Sequence, residues 1–258
     1  MSYALPATAA LERPVIRTLY AEDLKLALRK GFEDFKAIPT QLVFLCLLYP
    51  VIGFAAARMA TGDLLPLLFP LVAGLSLMGP LMAVGLYELS RRREAGLAVS
   101  WLNAFDVLRS PAIVGIVVLG VVLLLIFGAW LAAARVIYAA TIGIPPSGVV
   151  DFTAAVLHSG AGMRLIVLGN LVGLGFAVLV LAISAVSFPM MLDRNCSPGV
   201  AVQTSLRVVA QNPRVMALWG VVVAAVLAAG CVPLFVGLAV AMPILGHATW
   251  HLYRAAVA

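Results

Sequence analysis

Between Val215 and Leu252 the chain reads VMALWGVVVAAVLAAGCVPLFVGLAVAMPILGHATWHL, 38 residues without an aspartate, glutamate, lysine or arginine. A helix rises about 1.5 Å per residue and a bilayer's hydrocarbon core is about 30 Å thick, so this run is too long for one crossing. It contains Gly230-Cys231-Val232-Pro233. Glycine can turn there and proline can open a new helix at its first position. The reading is therefore two spans, Val215–Ala229 and Pro233–Trp250. The alternative is one long, kinked and tilted helix.

Outward from this run, four more uncharged stretches reach crossing length: Pro39–Ala57, Leu64–Tyr87, Pro111–Ala134 and Leu165–Leu192. The expectation is an all-α, polytopic membrane bundle of six spans, or five if the last run is a single helix. Composition agrees. Of 258 residues, 64% are hydrophobic and 11% charged, and the mean hydropathy is +1.11. A soluble domain carries about 25% charged residues because its whole surface must be solvated. The first 37 residues hold five acidic and six basic side chains and no apolar core segment, which argues against a cleaved signal peptide. Cys46, Cys196 and Cys231 are scattered and odd in number, so no disulfide framework is expected.

Charge sets an orientation. With six spans and the N-terminus inside, the inner side holds Arg13, Arg17, Lys25, Arg29, Lys30, Lys36, Arg91, Arg92, Arg93, Arg109, Arg194, Arg207, Arg214 and Arg254. The outer side holds Arg58, Arg135 and Arg164. Excess Lys and Arg mark the cytoplasmic side, so both termini are expected there. The net charge of +6 then reflects orientation and contact with anionic lipid, not nucleic acid.

Three segments that precede spans carry apolar stripes at helical spacing. Leu24, Leu28, Phe32 and Phe35 oppose Lys25, Arg29, Glu33 and Lys36. Leu97, Trp101, Ala104, Phe105 and Leu108 oppose Ser100, Asn103, Asp106 and Arg109. Val202, Leu206 and Val209 oppose Gln203, Arg207 and Gln211, with Ser197 as N-cap and Pro198 in the first turn. Such helices lie in the membrane interface. Each runs into a proline, at Ile38-Pro39, Ser110-Pro111 and Asn212-Pro213, which ends one helix and can open the next. The domain expectation is a tail over residues 1–20 and one membrane domain over 21–258, in repeat-like units 21–90, 96–192 and 197–254. The second unit has a longer outer loop, Arg135–Met163, containing Ile144-Pro145-Pro146-Ser147.

Two stretches carry a family resemblance. Gly79-Pro80-Leu81-Met82-Ala83-Val84-Gly85-Leu86-Tyr87-Glu88-Leu89-Ser90-Arg91-Arg92 and Pro243-Ile244-Leu245-Gly246-His247-Ala248-Thr249-Trp250-His251-Leu252-Tyr253-Arg254 resemble a bacterial family of predicted integral membrane proteins known as domain of unknown function 2189. The likeness runs from about Gly31 to Arg254. It implies an inner-membrane, multi-span helical protein and carries over no catalytic residue.

The candidate sites are few. His247 and His251 share a helix face and are the only candidates for a metal or haem, but two ligands make a poor site. Beside Trp250 and Tyr253 they read better as an interfacial belt. Tyr87, Glu88, Arg91, Arg92, Trp250 and His251 are candidates for partner or lipid contact, with a Glu88–Arg92 ion pair expected from their spacing. Gly169, Asn170 and Gly173 form a packing motif that lets two backbones approach, and Gly74, Gly79 and Gly85 notch the second span. No ionisable residue falls near a span's midplane, which counts against an ion-coupled transporter. No phosphate loop, Ser-His-Asp set or HExxH occurs. Neither enzymatic activity nor a cofactor is expected. The expected role is that of a non-catalytic accessory, assembly or interaction protein, whose partners are lipid, a membrane complex or its own copies. The alternative is a permease or channel for a small neutral or amphipathic solute or lipid, with a polar cleft around Asn170, Ser184 and Ser187.

Overall fold

The computed structural model describes residues 14–40, 65–143, 148–233 and 235–258. The expected first span, Pro39–Ala57, lies outside them except for Pro39 and Thr40, as does the Ile144–Ser147 turn. Among the described residues the chain is all-helical. Helix α1 is Ala21–Ala37, α2 Leu68–Leu75, α3 Gly79–Met82 and α4 Val84–Glu94. These are followed by a 3₁₀ helix, Trp101–Arg109, then α5 Ile113–Thr141, α6 Val149–Leu157, α7 Gly160–Ser184 and α8 Ser187–Arg194. The chain closes with α9 Pro198–Gln211, α10 Pro213–Cys231 and α11 Leu238–Ala256.

Four helical runs among these residues are long and apolar enough to cross a membrane: Phe69–Glu94, Ile113–Thr141, Gly160–Arg194 and Pro213–Cys231. The first is interrupted by a 3₁₀ turn at Ser76–Met78, as Pro80 demands, since it can neither donate a hydrogen bond nor tolerate the carbonyl four residues back. The third is broken at Ala185–Val186, after which Ser187–Leu192 is buried throughout. The Val215–Leu252 run is two helices. They turn through Val232–Gly237, where Phe235 takes a positive φ of 66° and a Cβ on Gly237 would stand 2.8 Å from the Gly230 Cα. The second helix begins five residues later than the proline suggested, at Leu238. With His247, His251 and Arg254 in its second half, α11 is less apolar and falls outside these four runs. Most of the expected outer loop is also helical, as the end of α5 and as α6.

The proline corners follow the expected chemistry at α9–α10. Ser197 caps α9 by accepting from the Val200 N–H, and Pro198 stands in its first turn. Asn212 ends α9 and Pro213 opens α10. The buried Asn212 side chain also holds the incoming chain: its Oδ1 accepts from the Leu19 N–H at 2.7 Å, and its Nδ2 donates to the Arg17 carbonyl at 3.2 Å. Residues 14–20 therefore pass over the far end of the chain, pairing Ile16 with Val257 in an isolated antiparallel bridge.

In the three short segments the large apolar residues are for the most part not the ones that meet the rest of the protein. In α1 the buried face is Leu24, Ala27, Gly31 and Asp34, while Phe32 is exposed beneath the Lys36 ammonium, 4.9 Å from its ring centre. In the 3₁₀ helix Val107 is buried, whereas Trp101, Leu102, Phe105 and Leu108 point outward. In α9 the buried residues are Ala201, Thr204, Ser205 and Val208, and Leu206 is outside. Small or polar residues face the protein because they let backbones approach and supply hydrogen bonds, which drive helix association where lipid is already apolar.

Helix α1 approaches α11 closely. A Cβ added to Gly31 would lie 2.6 Å from the Ala248 backbone nitrogen, which cannot move aside. We expect Gly31→Val to lower the thermal stability of the detergent-solubilised protein by about 1–3 kcal/mol, the usual cost of overpacking. Gly79→Ala, with open space at its Cβ, is expected to be neutral or slightly stabilising in the same melt.

Candidate functional site

Residues from α1, α4 and α11 converge on one carboxylate, Asp34, whose side chain is 8% exposed. Arg93 Nη1 donates to Asp34 Oδ1 at 2.8 Å. On the other oxygen, Ser90 Oγ donates to Oδ2 at 2.6 Å, and His251 Nε2 lies 2.8 Å from the same atom. A carboxylate only accepts, so the His251 hydrogen on Nε2 points to Asp34. Ser90 has one hydroxyl proton and gives it to Asp34. Its oxygen must therefore accept from His247 Nδ1, 2.8 Å away. This assigns the Nδ1–H tautomer to His247 and leaves its buried Nε2 a bare lone pair without a hydrogen-bond partner.

The local sequence positions each group. Leu24, Ala27, Gly31 and Asp34 recur at three and four residues, so the α1 face that packs on α11 ends in a carboxylate. His247 and His251, four apart on α11, stack on one face as expected. Ser90 and Arg93 belong to the last turn of α4. Burial works to raise the Asp34 pKa, but hydrogen bonds from His251 and Ser90, with the charges those histidines can carry, outweigh it and hold the carboxyl below its ordinary 3.8.

A second cluster extends the node along α11. Trp250 Nε1 donates to Glu94 at 2.9 Å, and Arg254 bridges Glu94 and Asp193 at 3.1 and 3.3 Å. The Tyr253 hydroxyl donates to Asp193 at 2.6 Å and accepts from Arg194 at 3.1 Å. Burial and the Asp193 carboxylate push the Tyr253 phenol above its usual range. Glu88 pairs with Arg91, through two bonds of 2.7 and 2.8 Å, and not with Arg92 as its spacing suggested. Arg92 turns instead to Asp106 at 3.2 Å, drawn by the inward polar face of the 3₁₀ helix.

The sequence-derived candidates thus separate by place. Tyr87, Glu88, Trp250, His247 and Tyr253 lie in the interior, while His251, Arg91 and Arg92 are partly covered. Gly173 packs against Trp130, whose ring a Cβ would meet at 3.0 Å, whereas Gly169 has open space. Asn170 is exposed and bonds its own helix, Nδ2 to the Ile166 carbonyl at 2.7 Å. Of the notching glycines, Gly74 faces Phe127 and Trp130 and Gly85 faces Ala104, while Gly79 is open. Sequence reasoning overlooked Asp34, Ser90, Asp193 and Asn212 as site residues, and read Arg93 and Glu94 only as part of the charged end of the second span. The one available signal was that Asp34 closes the Leu24-Ala27-Gly31 row.

A serine, a histidine and an aspartate do meet here, although no such set is recognisable in the sequence. Their order does not activate the serine: histidine must stand between serine and carboxylate to take the hydroxyl proton, and here Ser90 stands in the middle, fully buried. Within this network His247 engages Nδ1 and His251 engages Nε2. Among the described residues no group of three or more His, Cys, Asp or Glu side chains is arranged around a metal position.

Residues 68–193 match the family model of a predicted integral membrane protein. That model describes the family known as domain of unknown function 2189, to which this stretch of the chain is similar. It covers α2 to α8, including the Gly79–Arg92 stretch, and ends before the Pro243–Arg254 stretch. No curated protein and no solved structure matches the chain.

The Asp34 network makes a signed prediction. A carboxyl whose pKa is lowered by folding stabilises the fold fully above its unfolded value, and this contribution fades as pH falls through the folded value. Melting temperature should therefore drop below pH 3.8, the ordinary value of this group. Asp34→Asn should flatten that drop while costing about 1–3 kcal/mol near neutrality, because it unpairs Arg93 and His251. Melts of both proteins across acid pH decide it.

Proposed function

We propose that this chain is a six-span protein of the bacterial inner membrane, built as three hairpins each preceded by an interfacial helix, with both termini in the cytoplasm. It acts without catalysis, as an accessory, assembly or interaction protein of a membrane complex. The observation that carries this reading is the closed condition of the polar groups. Asp34, Glu88, Glu94 and Asp193 each engage a cation of the same chain, and Ser90 and His247 are fully buried. What the molecule presents outward is apolar helix surface and a basic end.

Support for the orientation comes from that end. The contacts of α1, α4, α8 and α11 gather Arg91, Arg93, Arg194 and Arg254 together, whereas Arg135 and Arg164 belong to the stretches around the far end of α5 and the start of α7. Support for interfacial placement comes from Trp101, Leu102, Phe105 and Leu108, exposed while Asn103 and Asp106 bond inward. An element with that inversion is solvated by lipid on its outer side.

The permease reading requires a hydrated cleft at Asn170, Ser184 and Ser187. Instead Ser184 and Ser187 are buried, Ser184 bonding Val180 in its own helix at 2.6 Å and Ser187 reaching back across the break to Ile183 of α7 at 2.5 Å, and Asn170 faces outward. This weighs against transport through that region.

Gentle extraction with in-membrane cross-linking, followed by mass spectrometry, is expected to recover the chain joined to a partner or to itself. Recovery of the lone monomer only would sink the interaction role. Reporter fusions supply a separate check on topology: both termini should report cytoplasmic and the 143–148 turn periplasmic.

A further inference from the structure

Helix α7 is long and barely covered by the rest of the chain. Only 6% of its most apolar 18-residue stretch is buried, against 28% for α5. Its inner side is accounted for by Trp130, which meets Gly173 and stands 5.7 Å from the Phe176 ring. On the outer side, Met163, Val167, Asn170, Leu174 and Ala177 are all exposed. Their steps are four, three, four and three residues. That 3.5-residue repeat is the seam of a left-handed coiled coil, the commonest packing of membrane helices.

Asn170 occupies one seam position. It lies six residues, about 9 Å along the axis, from Arg164, within the uncharged run that begins at Leu165. A carboxamide offers two N–H donors and an oxygen acceptor. The structure gives it one bond, Nδ2 to the Ile166 carbonyl, which leaves one N–H and Oδ1 available to a partner on this exposed face. Unpaired polar groups in lipid are costly. We infer that the Met163–Val167–Asn170–Leu174–Ala177 seam pairs with the same seam of a second copy, the two Asn170 carboxamides bonding reciprocally across a two-fold axis. A second copy is the fitting occupant because the unmet needs of a carboxamide are one donor and one acceptor, which an identical carboxamide supplies in return. The seam carries no charge that would call for a partner of opposite sign. A single polar side chain on such a seam fixes register and oligomeric state.

This inference rests on the interaction role proposed above and names its partner. The full-length chain, labelled with donor and acceptor dyes and diluted in phosphatidylethanolamine–phosphatidylglycerol vesicles, should show energy transfer that falls on dilution to a two-copy limit. Asn170→Leu should weaken association about three- to fifteenfold, the span of measured interhelical hydrogen bonds in membranes. Asn170→Gln, which keeps the carboxamide, should restore much of it. In a chain whose three cysteines are replaced by alanine, Val167→Cys should cross-link copy to copy, while Leu124→Cys on the exposed face of α5 should not. Wild-type monomers at every dilution, an Asn170→Leu chain that associates unchanged, or cross-linking at Leu124 but not Val167 would each overturn the pairing. If Val167→Cys captured only a different membrane protein, the second copy would be wrong while the interaction role stood. If no partner of any kind were captured, both would fall.

Discussion

A carboxylate buried at the junction of three helices is the constraint on which the arrangement turns. Asp34 cannot remain ionised in the interior unless its oxygens are filled, and an unpaired buried charge costs several kcal/mol. Three donors fill them, from Ser90, Arg93 and His251, and they come from two helices far apart in sequence. Their convergence fixes the rotation of α1 on α11 and the height of α4 against both. Gly31 allows it: with hydrogen in place of a side chain, α1 approaches until the carboxylate reaches the α11 histidines. The network and the close approach are thus one device. Either without the other would be destabilising, the carboxylate through desolvation and the glycine through lost backbone order.

The same logic explains why large apolar residues point out of this protein. In water, Phe32, Trp101, Phe105 and Leu206 would be driven inward. In lipid they gain little by leaving the surface, whereas hydrogen-bonding groups and small residues gain by meeting one another. Thr204 and Ser205 on the inner face of α9, the second accepting from the Val186 N–H, and Asn103 with Asp106 on the 3₁₀ helix, follow that rule. So does Trp130, buried among helices, its indole N–H spent on the Pro70 carbonyl at 2.7 Å.

Much of the membrane architecture was legible because it depends on length and charge, which are additive along the chain. The helical hairpin in Val215–Leu252, the Ser197 cap and the Asn212–Pro213 corner are local and appear where glycine, serine and proline place them. The site was harder to read because it depends on which face of a helix turns inward. A stripe of large apolar residues, such as Leu28, Phe32 and Phe35 on α1, marks a helix for the membrane interface but does not show that Ala27, Gly31 and Asp34 are the residues that turn inward. With no carboxylate within a turn of them in the sequence, His247 and His251 read as an interfacial belt. The Glu88–Arg92 pairing failed for a related reason. Helical spacing offers Glu88 two arginines, and only the tertiary position of Asp106 decides which one is free.

Two polar side chains in this chain illustrate the two ways a membrane protein can satisfy a group that lipid will not. Asp34 is enclosed, with every oxygen occupied by donors from its own chain, and its energy is spent on holding the fold. Asn170 is left outside on a helix that the chain hardly covers, with part of its hydrogen-bonding capacity unmet. A group of the first kind sets the internal structure, whereas one of the second kind favours association, because bringing up another helix satisfies it at no cost in buried charge. The distribution of such groups is therefore informative where no reactive site can be read. On the role proposed above, a chain whose ionisable groups close upon one another would use its exposed carboxamide to meet other helices.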